Sequence, residues 1–260
     1  MHFAMSRPIG IVLGVLLAVR SVLALAQSAQ EIVATSDKIR NPEQPFRTTL
    51  TLTEYVSGQE RSHSGFVLFS KEDASGHFRN LLQYVEPPRD AGKRVLLDGR
   101  SFWFFDPASQ ASVRISAQQR LTGQAAIGDV LTVNLAADYS ASLTGTESID
   151  DAARQKRNCW HLDLKAASEI AVYNRVEYWV EQGSFRPVKG KFYSDSGRLL
   201  KIIYYRNFVE RLGAVRPAEA VIIDAVDSSL ATISVLGESR FQDVPDAWFQ
   251  RDYLPRLQVR

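Results

Sequence analysis

From Phe46 onward the chain is a succession of short alternating segments separated by turn pairs, and this rhythm admits little besides an antiparallel sheet. Residues 46–55 set the pattern. Phe46, Thr48, Leu50 and Leu52 share one face, while Arg47, Thr49, Thr51 and Thr53 share the other. Successive side chains point to opposite faces of a strand, and β-branched Thr fits the pleat. Ser57-Gly58 turns the chain into a second segment at 64–70. Similar segments follow, among them 78–85, 94–97, 101–105, 139–147 and 199–208, about eleven or twelve strands in all at hairpin spacing. Asp98-Gly99 suits a type I′ hairpin. A sheet this large tends to curl or close.

Three stretches break the rhythm. Residues 29–40 repeat Ile32, Val33, Ser36 and Ile39 at helical spacing, and Asn41-Pro42 stops the helix, because proline disfavours α geometry in the residue before it. Residues 116–137 read as a loop followed by a short helix over 124–135. Residues 244–254, carrying Trp248 and Phe249, read as a final helical turn. No Pro/Ser/Gly-rich linker divides residues 27–260, so one domain is expected there.

Residues 1–26 have the pattern of an export signal. Arg7 precedes an apolar run over 9–19, and Ala24-Leu25-Ala26 gives the small-x-small cleavage motif. Eleven apolar residues are too few for a membrane span, which needs roughly 20. Cleavage after Ala26 and a periplasmic location are expected. Arg7 and Arg20 are the only charged residues in this stretch, so removing it takes the 31 basic residues to 29, equal to the 29 acidic ones. A neutral chain with its basic residues spread evenly makes no case for nucleic acid.

Catalytic patterns are missing from the sequence. It has no G-x-S-x-G elbow, no phosphate-binding glycine loop and no H-E-x-x-H helix. The single cysteine excludes a disulfide framework and a Cys₂ or Cys₄ zinc site. Cys159 and His161 share a strand face. They could form a thiolate–imidazole pair, but a buried cysteine beside a histidine is the plainer reading. Asp129, Asp195, Asp224 and Asp227 read as caps or turns rather than general acids. Arg114, Arg120 and Arg216 flank the irregular segment or a strand kink, and could pair with those carboxylates or meet an anionic head group. No catalytic residue, metal or cofactor is expected.

Apolar placement carries more information. Phe102-Trp103-Phe104-Phe105 puts aromatics on both faces of one strand, and Ile202-Ile203-Tyr204-Tyr205 does so again. A sheet with one wet face would alternate. Either a curled sheet encloses a greasy cavity closed by helices, or a packed core lies beneath helices on the outside.

Residues 92–100 (GKRVLLDGR), 102–107 (FWFFDP), 113–125 (VRISAQQRLTGQA) and 128–130 (GDV) resemble the LolA-like outer-membrane lipoprotein-sorting family. The branch is the one associated with exporters of the resistance-nodulation-division type. Residues 178–181 (YWVE), 186–189 (RPVK) and 197–201 (GRLLK), with Arg216-Pro217, extend the resemblance over most of 30–240. It implies a mainly β fold with few helices: a strongly curved antiparallel sheet forming an incomplete β-barrel plugged by helices. It also implies a non-enzymatic carrier of lipid or lipoprotein acyl chains between membranes. Leu50, Leu52, Trp103, Phe105, Val176 and Tyr178 are the candidate lining. Which sheet face is inward is open, because a one-residue shift exchanges the faces. A rival reading is a periplasmic adaptor of an inner-membrane exporter of hydrophobic compounds, with no cargo of its own. A hydrolase on a lipidic substrate would lack a recognisable nucleophile.

Overall fold

The computed structural model describes residues 27–99 and 101–257. The expected export signal over 1–26 lies outside the described residues.

The chain opens with helix α1 (Ala29–Arg40), held at its start by a reciprocal capping box between Ser28 and Glu31. It ends where the sequence stops it, at Asn41 in extended geometry before Pro42. Six strands follow: β1 (Phe46–Val56), β2 (Gln59–Glu72), β3 (Phe78–Glu86), β4 (Arg94–Leu97), β5 (Phe102–Asp106) and β6 (Ala111–Ile115). Ser57 and Gly58 both take positive φ, +52° and +78°, the geometry of a type I′ turn, whose twist matches that of the strands it joins.

The connector after β6 contains two short paired strands, β7 (Arg120–Thr122) and β8 (Ala125–Ala126), and two single-turn helices, α2 (Ile127–Val130) and α3 (Leu135–Asp138). The helix expected over 124–135 therefore does not form as one piece. The sheet supplies what helical hydrogen bonds would have supplied. The Asn80 side chain donates to Thr132 O at 2.9 Å and accepts from Thr132 N at 3.2 Å, and Thr232 Oγ1 accepts from Gln124 N at 2.7 Å. A backbone satisfied by side chains has no need of a continuous helix.

Seven further strands complete the sheet: β9 (Tyr139–Asp150), β10 (Lys156–Ala166), β11 (Arg175–Glu181), β12 (Pro187–Tyr193), β13 (Leu199–Arg211), β14 (Ala214–Asp224) and β15 (Leu230–Phe241). Thirteen strands form one antiparallel sheet, in the order β6-β5-β4-β3-β2-β1-β15-β14-β13-β12-β11-β10-β9. That is one or two more than the expected count, because even the shortest segments pair.

The order has a simple logic. The chain starts at the middle with β1 and walks outward to the edge strand β6. It then crosses to the opposite edge, β9, and walks back to β15, which pairs with β1. The crossing is made by residues 116–138, so the connector joins the two edges.

β6 and β9 do not pair, so the sheet is not closed into a barrel. It is nevertheless strongly curved. Val95 of β4 and Val176 of β11 belong to one buried cluster, with Ile32 of α1 and Leu131 of the connector. These strands are eight places apart in the order. In a flat sheet they would lie roughly 38 Å apart at about 4.8 Å per strand. Here α1 and the connector pack into one cluster with both, as a sheet wrapped around its cover allows.

The outer face carries a second cluster. Val67, Phe69, Leu81, Leu96 and Phe105 are capped by Val244, Phe249, Leu254 and Leu257 of the C-terminal segment. That segment forms two 3₁₀ turns, Asp246–Phe249 and Arg251–Arg256, where a single helical turn was expected. Arg94 fastens it by donating to Leu254 O and Leu257 O at 2.7 and 2.8 Å.

Candidate functional site

The inner face of the curved sheet and its cover enclose the candidate site. Alternation in β1 turns Leu50 and Leu52 inward, both buried. Alternation in β11 does the same for Val176, Tyr178 and Val180. The candidate lining is thereby divided. Leu50, Leu52, Val176 and Tyr178 lie together in the inner cluster. Trp103 and Phe105 lie on the outer face beneath the C-terminal segment. The inner face of β5 instead presents Phe102 and Phe104.

Two elements make the cover, α1 and the 116–138 connector, and polar contacts lock them to each other. Gln30 Nε2 donates to Ala136 O at 2.6 Å, Asn41 Nδ2 donates to Val133 O at 2.7 Å, and Ala136 N donates to Asp37 Oδ2 at 2.8 Å. Asp37 also pairs with Arg40, one turn along the helix.

A second set of polar contacts locks the cover to the sheet. Ser36 Oγ meets the Tyr178 hydroxyl at 3.1 Å. Lys201 of β13 reaches Asp129 at 2.6 Å and Gln124 O at 3.0 Å. Asp129 accepts besides from the Tyr173 hydroxyl at 2.5 Å and from Ala126 N at 2.8 Å. Burial, with the Asp129 carboxylate beside it, pushes the Tyr173 phenol well up, so it stays a neutral donor. Gly128 packs directly against Val172: a Cβ there would meet Val172 Cγ1 at 2.3 Å.

The arginines divide as well. Arg216 is buried and donates to Lys38 O and Ile39 O, at 2.7 and 2.9 Å, at the end of α1. It also reaches Arg211 O and Leu212 O at 3.3 Å. It caps the helix C-terminus, where backbone carbonyls lack partners and a cation is favoured. Arg114 is exposed on the edge strand β6, and Arg120 is exposed on β7. Of the arginine–aspartate pairings, one persists through charge alone: after its backbone hydrogen bonds, the Arg120 and Arg198 guanidiniums help hold the Asp224 carboxyl below its ordinary range. Arg216 takes carbonyls, and Asp129 takes a lysine. Asp224 accepts from the backbone of Val226 and Asp227, and Asp227 accepts from Ser229, as the turn reading expected.

Two small cavities lie beneath the cover. A partly enclosed cavity of about 120 Å³ lies between the end of α1, the connector and strands β1, β14 and β15. A second, of about 40 Å³, lies deeper, against Tyr173, Phe192 and Ile203. Arg40, Asp129, Leu131 and Tyr205 line both. Binding sites for organic ligands of drug size run to roughly 300–1,000 Å³. Anything bulky must displace the cover.

Cys159 and His161 stand outside this interior. Cys159 packs with Trp179 and Val188 in a small separate cluster, and His161 stacks on Trp179 at 4.3 Å. Among the described residues no group of three or more His, Cys, Asp and Glu side chains is placed to hold a metal ion. Burial, with Glu181 and Glu147 nearby, pushes the thiol from 9.0 up to about 12. Its thiolate is then about a thousandfold scarcer than that of an unperturbed thiol at neutral pH. Native protein is expected to leave an aromatic disulfide reagent almost unreacted, whereas urea-unfolded chain consumes it promptly. Fast labelling of the native protein would contradict this placement. Because the folded thiol holds its proton more tightly, it weakens the fold only as pH rises above about 9.

A family model described as "Uncharacterized protein" matches residues 76–256. No curated protein matches the chain. Among solved structures, a domain from Vibrio parahaemolyticus described as an outer membrane lipoprotein-sorting protein superposes with a TM-score of 0.72 at 19% identity, over 88% of this chain and 98% of that one. A DUF1329 family protein from Desulfovibrio piger gives 0.72 at 17% identity, over 87% and 97%. These two share the fold. A LolA superfamily protein from Nitrosomonas europaea gives 0.78 at 33% identity, over 88% of this chain and the whole of that one. With that identity sustained along the full length of the Nitrosomonas protein, on the same open, covered sheet, this chain belongs to the LolA superfamily.

Proposed function

We propose that the protein is a periplasmic, non-enzymatic carrier that holds lipid or lipoprotein acyl chains beneath α1 and the 116–138 connector and moves them between membranes. The observation that carries this reading is the construction of the interior. An apolar inner face is closed by a separate cover, and that cover is fastened through individual polar contacts. A permanent core has no need of so many side-chain fasteners. A cover that must lift and reseat does, because polar groups freed on opening find water instead.

Burial of acyl chain drives loading, at about 0.8 kcal/mol per CH₂ removed from water. A sixteen-carbon chain could thus contribute on the order of 10 kcal/mol before ordering costs. Apparent affinity falls by the fraction of molecules that are open. The export signal read over 1–26 supports the periplasmic location.

Protein purified from a membrane-containing host is expected to carry lipid, seen as a mass increment by native mass spectrometry. A fluorescent fatty acid is expected to bind lipid-free protein. Empty protein that also refuses the fluorescent probe would sink the carrier reading. The small cavities favour one alternative, an adaptor that docks on an inner-membrane exporter of the resistance-nodulation-division type and holds no cargo. Co-purification of a transporter with lipid-free protein would select it.

A further inference from the structure

Arg211 closes β13, beside the end of α1. Its Nη2 donates to Ser239 Oγ at 2.7 Å and Thr48 Oγ1 at 3.3 Å. Its Nε and Nη1 are buried and have no hydrogen-bond acceptor. Arg216 stands beside it with its hydrogen bonds spent on carbonyls, which leave its charge unbalanced. Neither has a carboxylate ion-pair partner among the described residues; Arg216 feels only Glu43 at a distance. Burial, and for Arg211 the neighbouring Arg216 as well, pushes both guanidiniums below their ordinary range.

Nearby acids are committed elsewhere. Glu219 holds Arg206 at 2.8 Å and Asn207 at 3.1 Å. Asp129 holds Lys201, Asp37 holds Arg40, and Glu43 lies 3.6 Å from Lys38. The cavity of about 120 Å³ is lined by both uncompensated arginines; its other walls include Phe46, Leu68, Leu131 and Leu236, with the committed carboxylates of Asp129 and Glu219. It has room for several water-sized groups. Buried guanidinium donors without acceptors or counter-ion are costly, and an oxyanion matches their geometry.

We propose that this cavity seats the oxyanion head, a phosphate ester or a carboxylate, of an amphiphile whose tail continues under the cover. The inference rests on the carrier reading and sharpens it, by making the preferred cargo anionic. The tail's path is marked by the deeper cavity, which shares Arg40, Asp129, Leu131 and Tyr205 with the first. Arg211 is the selective group, since its Nε and Nη1 donors are unspent.

The test compares lysophosphatidate with the monoacylglycerol of the same acyl chain, together with inorganic phosphate alone, on the parent protein and on Arg211→Gln and Arg211→Lys. The parent is expected to bind lysophosphatidate about tenfold or more tightly than the monoacylglycerol. Arg211→Gln should abolish that preference, and Arg211→Lys should retain part of it. Circular dichroism and urea unfolding show that the variants fold. Equal affinities in the parent, indifferent to Arg211→Gln, overturn the inference and leave the carrier reading standing. Failure of every probe overturns both. Arg211-dependent binding of inorganic phosphate without a lipid preference supports the oxyanion seat and assigns it to a soluble anion, overturning the amphiphile.

Discussion

Replacing Arg216 by methionine is expected to destabilise the protein by on the order of 3 kcal/mol and to loosen α1 before the rest of the sheet. Methionine fills much of the volume, so the loss is chiefly one of hydrogen bonds. Four carbonyls, those of Lys38, Ile39, Arg211 and Leu212, would lose a charged donor. The side chain is buried, with 7% of the residue exposed, so water cannot readily take its place. Arg216→Lys should recover only part of the loss, because an ammonium cannot span both the helix end and the hairpin as a planar fork does. Chemical denaturation measures the total, and amide hydrogen exchange locates it. Faster exchange confined to α1 and the connector is the expected signature, with faster uptake of a fluorescent fatty acid alongside. A variant within about 0.5 kcal/mol of the parent would show that Arg216 does not fasten the helix.

The second large effect concerns Lys201 and Asp129, whose side chains are 10% and 1% exposed. Asp129→Ala should cost about 3–5 kcal/mol, since it strands a buried ammonium with Gln124 O as its remaining hydrogen-bond acceptor. Lys201→Met should cost less, because Asp129 keeps the Tyr173 hydroxyl and the Ala126 amide. The double variant should be more stable than Asp129→Ala alone, because the stranded charge goes with its partner. Urea unfolding of the four proteins gives the cycle directly. Additive single losses would mean that the two groups do not act as a pair.

Much of the scaffold could be read from the chain. The α1 boundaries, the turn at Ser57-Gly58 and the shared face of Phe46, Thr48, Leu50 and Leu52 follow from periodicity and turn chemistry alone. Trp103 and Phe105 could not be placed, because four consecutive aromatics have no period. Covering the sheet on both sides, by the connector within and the C-terminal segment without, removes the contrast that alternation relies on.

The polar fasteners were hidden for another reason. Lys201 and Asp129 are 72 positions apart, and Asn80 and Thr132 are 52 apart. Such partners meet only after the sheet has curved. A signal was nevertheless present. Asn80 interrupts the face of β3 that carries Phe78, Leu82 and Tyr84, and Lys201 stands between Leu200 and Ile202 in β13. A lone polar residue inside an apolar strand must find a buried partner.

The connector that leaves one edge strand and enters the other gives the molecule the mechanics of a strung bow. The sheet is the stave, and residues 116–138 are the string, tied at β6 and at β9. A string of fixed length limits how far the tips can separate. It lifts away from the stave only if the tips approach or if its side attachments let go. The volume beneath the string and the width of the arc are therefore a single variable. An insertion in the string would enlarge that volume without altering a residue of the inner wall.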